Sequence, residues 1–138
     1  MEAEKWTFNT HEARFEPPDT VWITFRGKTE LEDVRWAAAL FRRLAAEGPL
    51  FIASDVSESI ISSEARNYIA KEVKTEWFRA ALYIRSGLPQ KAMGKAINLA
   101  LMLLGKPTIE MVFVDDARQA QQWIDKERGR RAPRRSAR

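Results

Sequence analysis

Carboxylates and serines crowd one short stretch of the chain: Asp55, Glu58 and Glu64 are interleaved with Ser54, Ser57, Ser59, Ser62 and Ser63. Carboxylates at this spacing could share acid and base roles or hold Mg²⁺. Either chemistry needs a second constellation elsewhere in the chain, and the sequence offers none. With no cysteine, the chain has no thiol nucleophile, disulfide or cysteine metal site. His11 is the single histidine, which disfavours both a His-rich metal centre and a Ser-His-Asp triad; it reads as a solvated turn residue. The segment Gly87 to Lys95 superficially suggests a phosphate loop but lacks the Gly-Lys-Ser/Thr ending and carries Pro89. A non-enzymatic protein without cofactor or metal is therefore expected, with capping and solvation accounting for the three carboxylates.

The elements around this stretch are well punctuated. Gly48-Pro49 precedes the apolar run Leu50 to Ala53, which suits a strand buried on both faces. The run then turns polar, and Ser54 to Arg66 reads as an acidic, serine-rich loop leading into a helix from Ser63 to about Glu76. Open α/β sheets place their working edge at such strand ends. Upstream, Trp6 to Phe8 and Ala13 to Phe15 alternate like an edge hairpin. Val21 to Phe25 is β-branched and aromatic, with Gly27 as its stop. Thr29 and Glu32 form a capping box for a helix bearing Leu31, Val34, Ala38 and Phe41 on one face. Downstream come a strand over Ala80 to Ile84 and a helix from Leu88 to Leu104 whose apolar face includes Ala92, Met93, Ala96, Ile97, Ala100, Leu103 and Leu104. A strand over Glu110 to Val114 follows, and Asp115-Asp116 caps a last helix. Helices between successive strands require parallel pairing with right-handed crossovers, with the first strands adding antiparallel at one edge.

The element order, Asp55-Val56-Ser57, and Ile61-Ser62-Ser63-Glu64-Ala65-Arg66 resemble the sulfate-transporter and anti-sigma-factor-antagonist (STAS, SpoIIAA-like) domains over roughly Thr20 to Lys126. Tyr83 to Gly87, the helix ending at Gly105-Lys106-Pro107, and Val112 to Asp116 leading to Trp123-Ile124 are similar to bacterial STAS-like proteins. The resemblance implies a single α/β domain with a mixed, mostly parallel sheet of about four to six strands and about four helices. It also implies a signalling role in which a partner kinase phosphorylates a serine before the second helix. By position that serine is Ser62, with Ser63 its neighbour. Ile61 stands where the family has Asp, and Glu64 and Arg66 stand in place of its two glycines. The competing reading is that Ser62 or Ser63 caps the helix.

The expected partner is thus a regulatory kinase or signalling protein, bound through Asp55, Ser57, Glu58, Ser59, Glu64 and Arg66. Trp77-Phe78 would be an exposed aromatic pair at the same interface, and a homodimer is compatible with such a surface. The alternative is a carrier of small hydrophobic ligands or lipids, using an apolar pocket between the sheet and the Leu88–Leu104 helix. Six arginines lie between residues 128 and 138. Removing them from the net +4 leaves residues 1–127 at −2, so the domain is expected over 1–127 with an arginine-rich disordered tail beyond it. In that tail Arg128, Arg130, Arg131, Arg134 and Arg135 could neutralise nucleic-acid phosphates without sequence specificity. The longest apolar stretch, Ala96 to Leu104, is broken by Asn98 and too short for a bilayer. The N-terminus lacks an apolar signal core, so a cytoplasmic location is expected.

Overall fold

In the computed structural model, which describes residues 3–85 and 87–136 with side chains through residue 130, six strands form one mixed sheet in chain order. They are β1 (Glu4–Phe8), β2 (His11–Glu16), β3 (Thr20–Thr29), β4 (Leu50–Ile61), β5 (Phe78–Ile84) and β6 (Met111–Val114). β1, β2 and β3 pair antiparallel, whereas β3 through β6 pair parallel. The helices are α1 (Leu31–Leu44), α2 (Ser63–Glu72), α3 (Leu88–Leu103) and α4 (Ala117–Ser136).

Sequential strand order and a fixed crossover hand together put α1, α2 and α3 on one face of the sheet. Alternation along each strand then builds two cores. Val21, Ile23, Leu50 and Ile52 face α1, where they meet Ala37, Leu40 and Leu44. Trp22, Phe51, Ala53, Leu82 and Ile84 face the other way, toward Ala120 and Ile124 of α4. Each fully buried large side chain contributes about 1.5–3 kcal/mol, so the apolar run of β4, which feeds both layers, anchors the domain.

Several sequence expectations are corrected. The serine-rich segment is not a loop, because β4 continues through it to Ile61. Beyond Asp55 its partner is the second half of β3, from Arg26 opposite Glu58 to Thr29 opposite Ile61. Gly27 does not stop β3. It passes through with φ +72, a conformation costly for any side chain. Thr29 is still in the sheet, so α1 starts later than expected: Glu30 is the N-cap, and its N–H donates to the Asp33 carboxylate at 2.7 Å. α2 ends at Glu72 rather than Glu76, its last carbonyls being capped by the Lys106 ammonium, 3.0 Å from the Ala70 oxygen. β5 accordingly begins at Phe78. On α3, Ala92, Leu103 and Leu104 are exposed instead of lying in the core; the buried residues are Gly94, Ile97 and Leu101. At Gly94 the helix comes so close to β6 that an added Cβ would lie 2.8 Å from the Met111 sulfur.

Candidate functional site

β4 carries one more residue than β3 between the Thr24–Asp55 and Arg26–Glu58 pairs, a bulge at Val56–Ser57. The bulge leaves the Ser57 N–H without a ladder partner, and the Asp55 carboxylate supplies one at 3.0 Å while also accepting from the Ser57 hydroxyl at 2.6 Å. Its other oxygen accepts from the Arg85 guanidinium, with Nε at 3.0 Å. Arg85 sits just beyond β5 at φ +54, a region few non-glycine residues occupy. Burial alone would raise the Asp55 pKa, but the Ser57 and Arg85 hydrogen bonds and the Arg85 charge outweigh it and hold the carboxyl below its ordinary value. Asp55 is therefore spent within the fold.

The bulge also changes which residues face α1–α3. Before it, Ser54 and Val56 do so; after it, Ser59 and Ile61 do. Ser59 hydrogen-bonds the Thr29 hydroxyl across the strands. The Ser62 N–H donates to the Thr29 carbonyl at 3.0 Å, and the Ser62 hydroxyl accepts the Ala65 N–H at 3.0 Å. Ser62 is thus the N-cap of α2 and half-buried, with Ser63 and Glu64 exposed beside it.

Beneath these residues lies a cavity of about 590 Å³ between the sheet and α1, α2 and α3. Its walls are apolar: Phe25 and Ile52 from the sheet, Phe41 from α1, Ile69 and Val73 from α2, Met93 and Ile97 from α3. Small side chains hold it open, since Ala37, Ala38, Ala81 and Ala96 occupy positions where α1, β5 and α3 face each other. The cavity is partly open and of a size that admits a small molecule. Tyr83 also lines it, stacked on Phe113 with ring centroids 5.4 Å apart. Burial pushes its phenol up to about 12, so it stays a protonated donor at neutral pH.

Trp77 and Phe78 are not an exposed pair. Both are half-buried, with Phe78 edge-on to Phe41 at 5.7 Å and packed against the α1-side core. Arg128 is drawn into the domain, its guanidinium 2.6 Å from Asp19 and 2.8 Å from the Thr20 hydroxyl. Arg130 pairs with Glu127 at 3.3 Å. The side chains of Arg131, Arg134 and Arg135 lie outside the described residues.

His11 also departs from expectation. It is only 2 % exposed, and its Nδ1 accepts the Arg26 N–H at 3.1 Å. Nε2 is then the protonated nitrogen and faces Asp33 Oδ1 at 3.2 Å, an oxygen that also accepts from Asn9 at 2.9 Å. Nε2 is buried and makes no hydrogen bond of standard geometry, so its close polar contact is with the buried Asp33 carboxylate. The trio ties the β1–β2 turn to the start of α1. Among the described residues no group of three or more His, Cys, Asp or Glu side chains is placed to hold a metal ion, and no helix is long and apolar enough to cross a membrane.

No protein-family model and no curated protein matches the chain. A solved structure that is similar is the crystal structure of an uncharacterized protein of the DUF3478 family with a SpoIIAA-like fold, from Shewanella loihica PV-4. It shares 21% identity, the match covers 86% of this chain and 98% of that one, and the TM-score is 0.57. At that identity the likeness is one of fold. The fold of this chain is SpoIIAA-like, as its resemblance to STAS domains implied.

Proposed function

We propose that this SpoIIAA-like domain is a non-enzymatic binder of small apolar molecules, held between the sheet and α1–α3. The cavity of about 590 Å³ carries the reading, because it falls within the roughly 300–1,000 Å³ of drug-sized ligand sites and has the apolar lining they share. It moves ligand binding ahead of the protein-interaction role, since Asp55 and Ser57 are bonded to each other, Ser59 to the Thr29 hydroxyl and Ser62 to the α2 backbone. Native mass spectrometry of the purified protein tests it. Wild type should carry or take up an apolar ligand, and Ala38→Phe and Ala96→Phe should lose it while melting at or near the wild-type temperature. Protein that is ligand-free and binds no apolar probe such as anilinonaphthalene sulfonate overturns the reading.

A protein-interaction role in signalling has one observation in its favour. Leu99, Met102, Leu103 and Leu104 at the end of α3 are exposed, Leu103 at 79%, and apolar exposure concentrated in this way marks contact surfaces. In the switched form of this reading a kinase modifies Ser62. A phosphate there would meet the favourable end of the α2 dipole but sit beside Glu64 in the first turn. Kinase-dependent mass gain that disappears in Ser62→Ala supports the switch, and its absence in treated wild-type protein removes it.

A further inference from the structure

One end of the cavity differs from the rest. Arg66 is the single charged side chain among its described lining residues. It is half-buried, and among the described residues its guanidinium has no hydrogen bond, ion pair or ring contact. Neighbouring cations are committed elsewhere: Arg35 stacks over Tyr68 at 5.7 Å, and Lys106 caps α2. A guanidinium set against apolar walls is costly unless something satisfies its donors.

The position of Arg66 gives the site a direction. It lies one turn into α2, whose N-cap Ser62 is bonded to Thr29, and Thr29 is bonded to Ser59. Arg66, Thr29 and Ser59 all line the cavity where β3 and β4 end. The α2 dipole adds positive potential at this same end. Toward the other end of the sheet, where β5 begins, the walls are Phe41, Val73, Phe78 and Ile109, without a polar side chain among them.

Resting on the apolar-ligand reading above, we propose that the ligand is an acyl-chain acid, its carboxylate paired with the Arg66 guanidinium and its hydrocarbon tail directed toward Phe41 and Phe78. Arginine suits this task because its planar fork binds both carboxylate oxygens at once. Thr29 and Ser59 supply hydroxyls at the same end of the cavity.

The test is calorimetric titration at pH 8 with dodecanoate and with dodecan-1-ol, each below its aggregation concentration. Wild type should bind the acid at least tenfold tighter than the alcohol. In Arg66→Gln, a substitution between comparable helix formers, the two should bind alike, at the wild-type affinity for the alcohol. Equal binding of both by wild type, or an acid preference retained in Arg66→Gln, overturns the acid head group while leaving the apolar pocket standing. Binding of neither overturns both. Should Arg66→Gln fail to fold by circular dichroism, Arg66→Lys keeps the charge but loses the fork, and its preference should fall below the wild-type ratio; an unchanged ratio there counts against the assignment.

Discussion

The Asp55 carboxylate sits at the β4 bulge between Ser57 and Arg85, and its depressed pKa sets a sign for pH dependence. A carboxyl held below its ordinary value of 3.8 stabilises the fold fully above that value. The contribution is lost as pH falls through the lower folded-state value. Asp55→Asn should therefore cost about 1 kcal/mol at pH 7, chiefly through the Ser57 hydrogen bonds, because the largely exposed Arg85 partner is screened by solvent. Urea unfolding of both proteins at pH 7 and pH 2.5 should show the gap narrowing at the lower pH; a gap unchanged or wider there would contradict the assignment. Sequence could place Asp55 at a strand end but not reveal that its lone pairs were taken, since Arg85 approaches from thirty residues away. His11 was more legible than it looked. It shares the inward alternation of Ala13 and Phe15, and starting the strand two residues earlier would have buried it.

α3 shows what hydropathy alone misjudges. Its apolar residues circle most of the helix, and periodicity could not tell which ones meet the sheet. Asn98, which in the sequence merely interrupts an apolar run, does so by design: its side chain donates to the Ile109 carbonyl and accepts the Ile109 N–H, both at 2.9 Å. This pairing fixes the end of α3 to the segment entering β6. Asn98→Ala should destabilise the protein by about 2 kcal/mol, two lost hydrogen bonds at about 1 kcal/mol each, measurable by chemical denaturation. Loss of less than half that would mean water replaces the amide readily. β4 was misjudged for the opposite reason. Ser and Glu are poor strand formers, yet β3 supplies a ladder that the polar segment completes, and no local signal announces a partner thirty residues upstream. The cavity left a fainter trace, in alanines at inward positions of α1, β5 and α3, where larger residues would normally fill the space.

At the scale of the molecule the sequence was a good guide: the α/β class, the antiparallel edge hairpin and the parallel remainder all follow from apolar runs alternating with capped helices. It also marked a last helix, of which Ala120 and Ile124 are buried against the sheet; what it missed was the latch that holds that helix. Asp19, at the start of β3, receives the Arg128 guanidinium at 2.6 Å and lies 3.5 Å from Arg79, so the last helix is latched to the sheet by a residue that composition assigns to the tail. A chain ending at Glu127 should unfold about 2 kcal/mol more easily than one ending at Arg130, because Asp19 then loses a charge-assisted hydrogen bond in a mostly buried setting. Equal midpoints in guanidinium chloride would refute the latch. Any nucleic-acid assay that trims the tail should cut after Arg130 to keep the domain intact.

Because the strands lie side by side in the order in which they are made, no strand has to be threaded between two that have already paired. Each newly synthesised segment can add to the growing edge as it leaves the ribosome, so assembly proceeds from the amino end outward. Until α4 arrives, Phe51, Ala53 and Leu82 remain uncovered. Translation stalled before residue 117 would then present a sheet with one greasy side, so the final helix, rather than any strand, is what closes the second core.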